Sequence, residues 1–113
     1  MSVSSNILLF QGAVLTGFGL IFVLVPSKIF PVKIDASNHK AWMIYRILGL
    51  WVVMSGFFSA SIGWYATQEQ QRVAAAGFAV IHAAETFVKI FSGGGSWPQN
   101  MAFTGLLCAA AVL

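Results

Sequence analysis

The chain has 113 residues, of which 58% are hydrophobic and only 8% are charged, and its mean hydropathy is +0.83. A soluble domain carries about 25% charged residues, so the composition excludes a water-soluble surface and predicts an integral membrane protein. The net charge of +3 comes from six basic and three acidic residues that are scattered along the chain, so we expect no nucleic-acid partner.

Apolar segments predict the architecture, because about 20 apolar residues cross the hydrocarbon core of a bilayer. We predict an all-α protein, an integral membrane four-helix bundle of antiparallel up-down topology that forms one domain over residues 1–113. The last apolar segment is short for a span, so we expect the natural chain to continue beyond Leu113. The predicted spans are residues 7–25, 41–65, 73–91 and 101–113, with an interfacial loop over 26–40 and a tight polar turn over 67–72.

Small residues lie on one face of the first predicted span and on one face of the second. At about 100° of rotation per residue, Gly12, Thr16 and Gly19 align in the first span. Gly49 and Gly56 align in the second span. Stripes of this kind let membrane helices approach each other closely, so we predict that these five residues pack helices together.

Lysines mark the predicted membrane interfaces. Lys28, Lys33 and Lys40 belong to the interfacial loop, and Lys89 lies at the end of the third span, where long basic side chains snorkel to the headgroups. Because basic residues concentrate in short cytoplasmic loops, we predict that the first and third loops face the cytoplasm. Both chain termini then lie on the non-cytoplasmic side.

Two opposite charges fall at matching depth within predicted spans. Arg46 lies near the start of the second span and Glu85 near the end of the third, and both sites are about 8–9 Å below one interface by helix rise. Since a charge inside a bilayer is costly, we predict an intramembrane ion pair between Arg46 and Glu85. Trp51 points away from Arg46, toward lipid or a partner protein.

His82 lies one turn deeper than Glu85 and gives a second interpretation of the same helix face. The pair is a candidate site for a proton, an ion or a polar ligand headgroup, and His82 is a candidate ligand of a pigment or haem, since a tetrapyrrole needs only one axial ligand. No other His, Cys or Asp stands at ligand spacing, so we predict no metal site. The chain also has no nucleophile with a base at usable spacing, so we predict no catalytic residues and no bound cofactor.

Three groups of residues in the predicted spans form a recognisable pattern. They are Gly12, Leu15 and Phe18 in the first span, Arg46, Gly49 and Trp51 in the second, and residues 85–88 (Glu-Thr-Phe-Val) in the third. This pattern resembles the small ergosterol-biosynthesis scaffold family of the endoplasmic reticulum. The resemblance implies four helices and a non-enzymatic role, in which the protein tethers the sterol C-4 demethylation enzymes at the membrane. Four-helix families of the DoxX type share the spacing of Arg46 and Gly49, so that motif alone does not choose between them.

The sequence therefore predicts a non-catalytic membrane scaffold or accessory subunit whose partners are larger membrane proteins and membrane lipid. One alternative is an accessory subunit of a respiratory or photosynthetic complex that touches pigment or lipid. Another is a small ligand- or proton-handling bundle that uses His82 and Glu85. The membrane is that of the endoplasmic reticulum or of an energy-converting organelle, and the residues do not decide between the two.

Overall fold

The computed structural model describes residues 2–24, 38–91 and 97–113, and within these ranges the protein is all-helical. The helices are α1 (Val3–Leu24), α2 (His39–Tyr65), α3 (Gln68–Phe91) and α4 (Trp97–Val112). Three of these four helices, α1, α2 and α3, are long and apolar enough to cross a membrane, and the predicted all-α class is confirmed. Helix α4 has 16 residues, or about 24 Å of helix, against a hydrocarbon core of about 30 Å.

Capping side chains set the start of α2 and α3. The backbone N–H of Ala41 donates to Asn38 Oδ1 at 3.2 Å, an N-cap interaction, so α2 begins at His39. Thr67 and Gln70 form a capping box, in which the N–H of Gln70 donates to Thr67 Oγ1 and the N–H of Thr67 donates to Gln70 Oε1. The polar turn predicted over residues 67–72 is therefore too long, because α3 begins at Gln68.

The two end helices also begin earlier than the predicted spans. Helix α1 begins at Val3, since Ser2 Oγ accepts a hydrogen bond from the N–H of Ser5 at 3.2 Å and caps the first turn. Helix α4 begins at Trp97, where Pro98 occupies the first turn, a position that suits proline. Most of the predicted interfacial loop lies outside the described residues, including Lys28 and Lys33.

The described residues group into two units, of which the first comprises Met1–Gln11 and Ser59–Leu113. It contains the start of α1, the end of α2, and all of α3 and α4. Its core has few residues and many of them are small, which brings the helix backbones close together. The buried core residues are Leu8, Ala75, Ala79, Leu107 and Ala110, with Ile7, Ile62, Phe78 and Ala111 packed against them.

The second unit, Gly12–Phe58, packs the later part of α1 against the earlier part of α2 through glycine. A Cβ built on Gly19 would lie 2.6 Å from Val53 Cγ2 and 2.7 Å from the carbonyl oxygen of Gly49. A Cβ on Gly56 would lie 2.5 Å from Thr16 Oγ1 and 2.8 Å from the carbonyl oxygen of Gly12. The structure thus places all five predicted helix-packing residues where α1 and α2 meet.

Candidate functional site

Polar side chains from all four helices are buried together in the first unit. They are Gln11 on α1, Ser59 on α2, His82 on α3 and Asn100 on α4, and none is more than 7% exposed. A buried polar group that lacks a hydrogen-bond partner costs about 1–3 kcal/mol, so the contacts among these four side chains decide whether the cluster stabilises the fold.

The imidazole of His82 is held on both ring nitrogens and on one face. Nε2 lies 3.1 Å from Gln11 Oε1, and Nδ1 lies 3.3 Å from Asn100 Nδ2. The ring also stacks on Phe103 of α4, with 5.3 Å between the ring centroids and 16° between the ring planes. One side chain of α3 therefore contacts side chains of both α1 and α4.

Lys89 fixes the direction in which these hydrogen bonds run. Its ammonium group donates to Asn100 Oδ1, and because an ammonium has no acceptor, the Asn100 atom that faces it must be the oxygen. The Asn100 NH2 then faces the other way, where it donates to Glu85 Oε2 at 2.7 Å and to His82 Nδ1. His82 Nδ1 is therefore an acceptor, and the neutral ring carries its hydrogen on Nε2.

The hydrogen bonds continue in the same direction from the His82 ring to α2. The Nε2–H of His82 donates to Gln11 Oε1, so the Gln11 NH2 faces Ser59 and donates to Ser59 Oγ at 3.0 Å. The hydroxyl of Ser59 then donates to the carbonyl oxygen of Leu8 at 2.8 Å. A single chain of donors thus runs from Lys89 through the four buried side chains to the backbone of α1. We call it the α1–α4 hydrogen-bond chain.

This arrangement positions helices and leaves little capacity for chemistry. Both nitrogens of His82 are engaged, so the ring offers no lone pair to a metal or to a haem iron. Two members of the chain, Gln11 and Asn100, are amides, which are not among the side chains that relay protons in catalysis. Within residues 2–24, 38–91 and 97–113, no group of three His, Cys, Asp or Glu side chains could hold a metal ion.

The predicted site residues are distributed between the two units. His82, Glu85 and Lys89 belong to the first unit, where Asn100 contacts all three. Arg46 belongs to the second unit and is exposed, and Glu85 is exposed as well. The predicted ion pair between Arg46 and Glu85 would join residues of different units and stays a prediction. Lys40 is exposed in the first turn of α2, and Lys89 is half-buried.

Sequence reasoning missed Gln11, Ser59 and Asn100 as members of a site. Each is a polar residue within or beside an apolar segment, which is the signal that marks intramembrane function or helix pairing. The signal gives no partner, however, because the contacts that matter join residues as far apart as Gln11 and His82, 71 positions along the chain.

A second polar cluster of the first unit caps the C-terminal end of α2. The NH2 of Gln71 donates to three carbonyl oxygens there, those of Ile62, Gly63 and Ala66, at 3.1–3.3 Å. Gln71 Oε1 in turn accepts from Ser4 Oγ at 3.0 Å, and Ser5 Oγ donates to the Gly63 carbonyl. The last carbonyls of a helix have no partner within it, so Gln71 supplies those partners from α3.

The second unit exposes a regular row of large apolar side chains on α2. The row follows the alternating three- and four-residue spacing with which one helix inserts side chains between those of another. Each member is between 41% and 59% exposed. The row comprises Ile44, Ile47, Trp51, Met54 and Phe58, and we call it the α2 seam.

Comparisons with protein-family models, with curated proteins and with solved structures find no match to this chain. The resemblance to the ergosterol-biosynthesis scaffold family therefore rests on the matching sequence positions given above. Two features of the described residues bear on function, the α1–α4 hydrogen-bond chain and the exposed α2 seam.

Proposed function

We propose that this protein is a non-catalytic integral membrane scaffold or accessory subunit, which docks onto larger membrane proteins through the α2 seam. The observation that carries the proposal is the seam itself, since its members keep helix-pairing spacing over four turns and are all exposed. Bulky aromatic anchors such as Trp51 and Phe58 supply much of the binding energy in protein interfaces. The partner is therefore a transmembrane helix that offers gaps between smaller side chains.

The topology we propose is a four-helix bundle with loops one and three in the cytoplasm and both termini opposite. Its support comes first from the connection of α2 to α3, where Ala66 and Thr67 alone separate the helices and so short a link joins antiparallel neighbours. Aromatic residues also lie at both ends of α2, with Trp42 packed on Tyr45 at the start and Trp64 at the end. The two tryptophans are about 33 Å apart by helix rise, which suits two aromatic belts of one bilayer.

The α1–α4 hydrogen-bond chain supports a non-catalytic role. A site that handles a ligand or a proton needs a group that can exchange partners, whereas here His82 has its two nitrogens bound to Gln11 and Asn100. Membrane lipid then covers the apolar surface that partner proteins leave free. The resemblance implies that those partners are lipid-modifying enzymes of the endoplasmic reticulum, and the alternative is a respiratory or photosynthetic complex.

The test compares complexes held by the full chain and by seam variants in its native membrane. The tagged protein is purified in mild detergent and read by native gel, mass spectrometry and visible absorbance. We expect Trp51→Ala combined with Phe58→Ala to lose the partner, while Phe57→Ala, an exposed position on α2 outside the seam, keeps it. Equal retention by both variants would overturn the seam as the docking surface. A colourless partner with lipid-modifying activity favours the tether, and a coloured or redox-active one favours the energy-converting complex.

Topology is tested separately with an impermeant thiol reagent. In a Cys108→Ser background, Lys40→Cys lies at the start of α2 and Glu69→Cys in the first turn of α3. We expect the first to react only from the cytoplasmic side and the second only from the opposite side. Reaction of both from one side would show that α2 does not cross the membrane.

A further inference from the structure

Two exposed charges of opposite sign lie within helices that are apolar enough to span a membrane. They are Arg46 on α2 and Glu85 on α3. A charge that faces lipid below the interface is costly, so each needs a partner of opposite sign. We propose that two copies of this chain associate through reciprocal ion pairs, in which Arg46 of each copy binds Glu85 of the other. The inference rests on the membrane topology proposed above, and it replaces the pairing of Arg46 with Glu85 within one chain that the sequence predicts.

The depths of the two residues agree when both are counted from the α2–α3 turn. About 28 Å of helix separates Arg46 from the end of α2 at Tyr65, and about 26 Å separates Glu85 from the start of α3 at Gln68. A two-fold axis along the membrane normal keeps the depth of every residue, so it would bring each Arg46 level with Glu85 of the partner copy. Closed two-fold symmetry is also the commonest arrangement of protein oligomers.

The surface beside Glu85 on α3 is apolar. Glu85 lies in a shallow open groove along α3, whose other lining residues are Ile81, Ala84, Val88 and Lys89. Ile81 and Val88 supply apolar walls one turn deeper and one turn shallower than Glu85. An arginine stem would lie along these walls and bring its guanidinium to the carboxylate in the bidentate geometry that arginine favours.

Lys89 also lines the groove, yet it does not neutralise Glu85 directly. A glutamate four residues before a lysine ordinarily pairs with it on a helix surface. Here Asn100 lies between the two charges, because Lys89 donates to Asn100 Oδ1 and Asn100 Nδ2 donates to Glu85 Oε2. The carboxylate can accept at both oxygens, so its charge remains available to a guanidinium from the partner copy.

The surface around Arg46 is apolar, as that groove is, and differs from the docking seam. Leu50 and Phe57 lie on the same face of α2, one and three turns deeper than Arg46, and are 57% and 67% exposed. Leu50 is therefore level with Ile81 of the partner copy, so an apolar contact continues the ion pair toward the bilayer centre. Trp51 lies about 140° around α2 from Arg46, which leaves the α2 seam free for other proteins.

The experiment uses two full-length copies with different tags, expressed together and purified into lipid nanodiscs. We expect wild-type copies to co-purify. R46E alone or E85R alone should reduce co-purification at least tenfold, because each homodimer then sets like charges together. R46E expressed with E85R should recover it to within twofold of wild type, since the heterodimer has two ion pairs again, one between Arg46 and Glu85 as in wild type and one with the two charges exchanged. Recovery between two different chains is the result that only an intermolecular pair produces.

Matched controls are the same charge changes at the ends of the same helices, Lys40→Glu and Glu69→Arg, which should leave co-purification unchanged. Arg46→Gln and Glu85→Gln should each weaken co-purification. Circular dichroism should show that the helix content of both variants is unchanged. The proposal is overturned if these neutral variants still dimerise, or if recovery requires both reversals in one chain. W51A with F58A should leave the dimer intact, so failure of the docking seam and failure of the dimer are distinguishable.

Discussion

The side-chain amide of Asn100 donates to Nδ1 of His82 at 3.3 Å, and that contact determines which nitrogen of the imidazole carries hydrogen. The amide has no choice of orientation, because the Lys89 ammonium occupies its oxygen and Glu85 takes its other hydrogen. A residue in the first turn of α4 thereby sets the donor direction of every bond in the α1–α4 hydrogen-bond chain. The contact between α3 and α4 and the tautomer of His82 therefore depend on the same hydrogen bond.

The first prediction concerns that tautomer. In the wild-type chain, ¹⁵N NMR of labelled histidine should show His82 with a protonated Nε2 and a bare Nδ1 that accepts a hydrogen bond. Gln11→Leu removes the acceptor of Nε2–H but leaves the Asn100 donor in place, so the same tautomer should persist. A protonated Nδ1 in the wild-type chain would contradict the donor direction derived from Lys89. His39, which is exposed at the start of α2, serves as the internal reference.

The second prediction concerns stability. Asn100→Leu removes the hydrogen-bond partner of Lys89, Glu85 and His82 Nδ1 at once, and unpaired polar groups inside a protein cost about 1–3 kcal/mol each. We expect the free energy of unfolding, measured by denaturant titration in detergent micelles, to fall by at least about 2 kcal/mol. Gln99→Leu, the same change at the exposed neighbouring position, should alter it by less than about 0.5 kcal/mol. Similar effects of the two changes would mean that the cluster does not stabilise the fold.

The apolar segments were enough to predict the all-α class, because about 20 consecutive apolar residues are the length at which a helix crosses the hydrocarbon core. The helix starts were harder, since Ser2, Thr67 and Gln70 are capping residues in polar segments that hydropathy assigns to loops. A polar segment beside a span can be either a loop or the first turn of its helix. Of these residues, only Thr67 and Gln70, which are three positions apart as in a capping box, indicate from sequence that a helix begins there.

The candidate site could be predicted only in part, for a similar reason. Periodicity put His82, Glu85 and Lys89 on one stripe of α3, and this stripe does contact α4. The residue that joins them, Asn100, lies where the sequence reads as a glycine-rich connection, so no periodic pattern leads to it. Hydrogen bonds between helices depend on helix rotation and depth, and a single sequence gives neither to within one turn.

The third prediction separates a donor from an acceptor at Gln71. Gln71→Glu keeps the side-chain length and the oxygen that accepts from Ser4, but it replaces the NH2 that faces the carbonyls at the end of α2. Carboxylate against carbonyl is repulsive, so we expect a loss of about 1–3 kcal/mol in the free energy of unfolding. Hydrogen exchange at the N–H groups of residues 62–67 should become faster in the same variant. Gln68→Glu, an exposed position in the same turn of α3, is the control and should change neither quantity.

The fourth prediction uses two glycines of α1 that differ in what surrounds them. An alanine at Gly19 would place its Cβ 2.6 Å from Val53 Cγ2 and 2.7 Å from the Gly49 carbonyl oxygen, whereas a Cβ at Gly17 has nothing within 4 Å. Backbone cannot yield as a flexible side chain can, so Gly19→Ala must push α1 and α2 apart, and overpacking of this kind costs about 1–3 kcal/mol. Gly17→Ala should be neutral or stabilise the helix by roughly 0.5–1 kcal/mol.

Thermal unfolding in detergent, followed by far-ultraviolet circular dichroism, measures both glycine variants under one condition. The midpoint temperature of unfolding should fall for Gly19→Ala, and it should stay the same or rise for Gly17→Ala. Gly49→Ala should repeat the loss, because its Cβ would lie 2.7 Å from Phe22 Cβ across the same contact. Gly19→Ala and Gly49→Ala together should cost less than the sum of the two, since helices already separated by one methyl group accommodate the second. Equal midpoints for the Gly17 and Gly19 variants would show that α1 and α2 do not meet at these glycines.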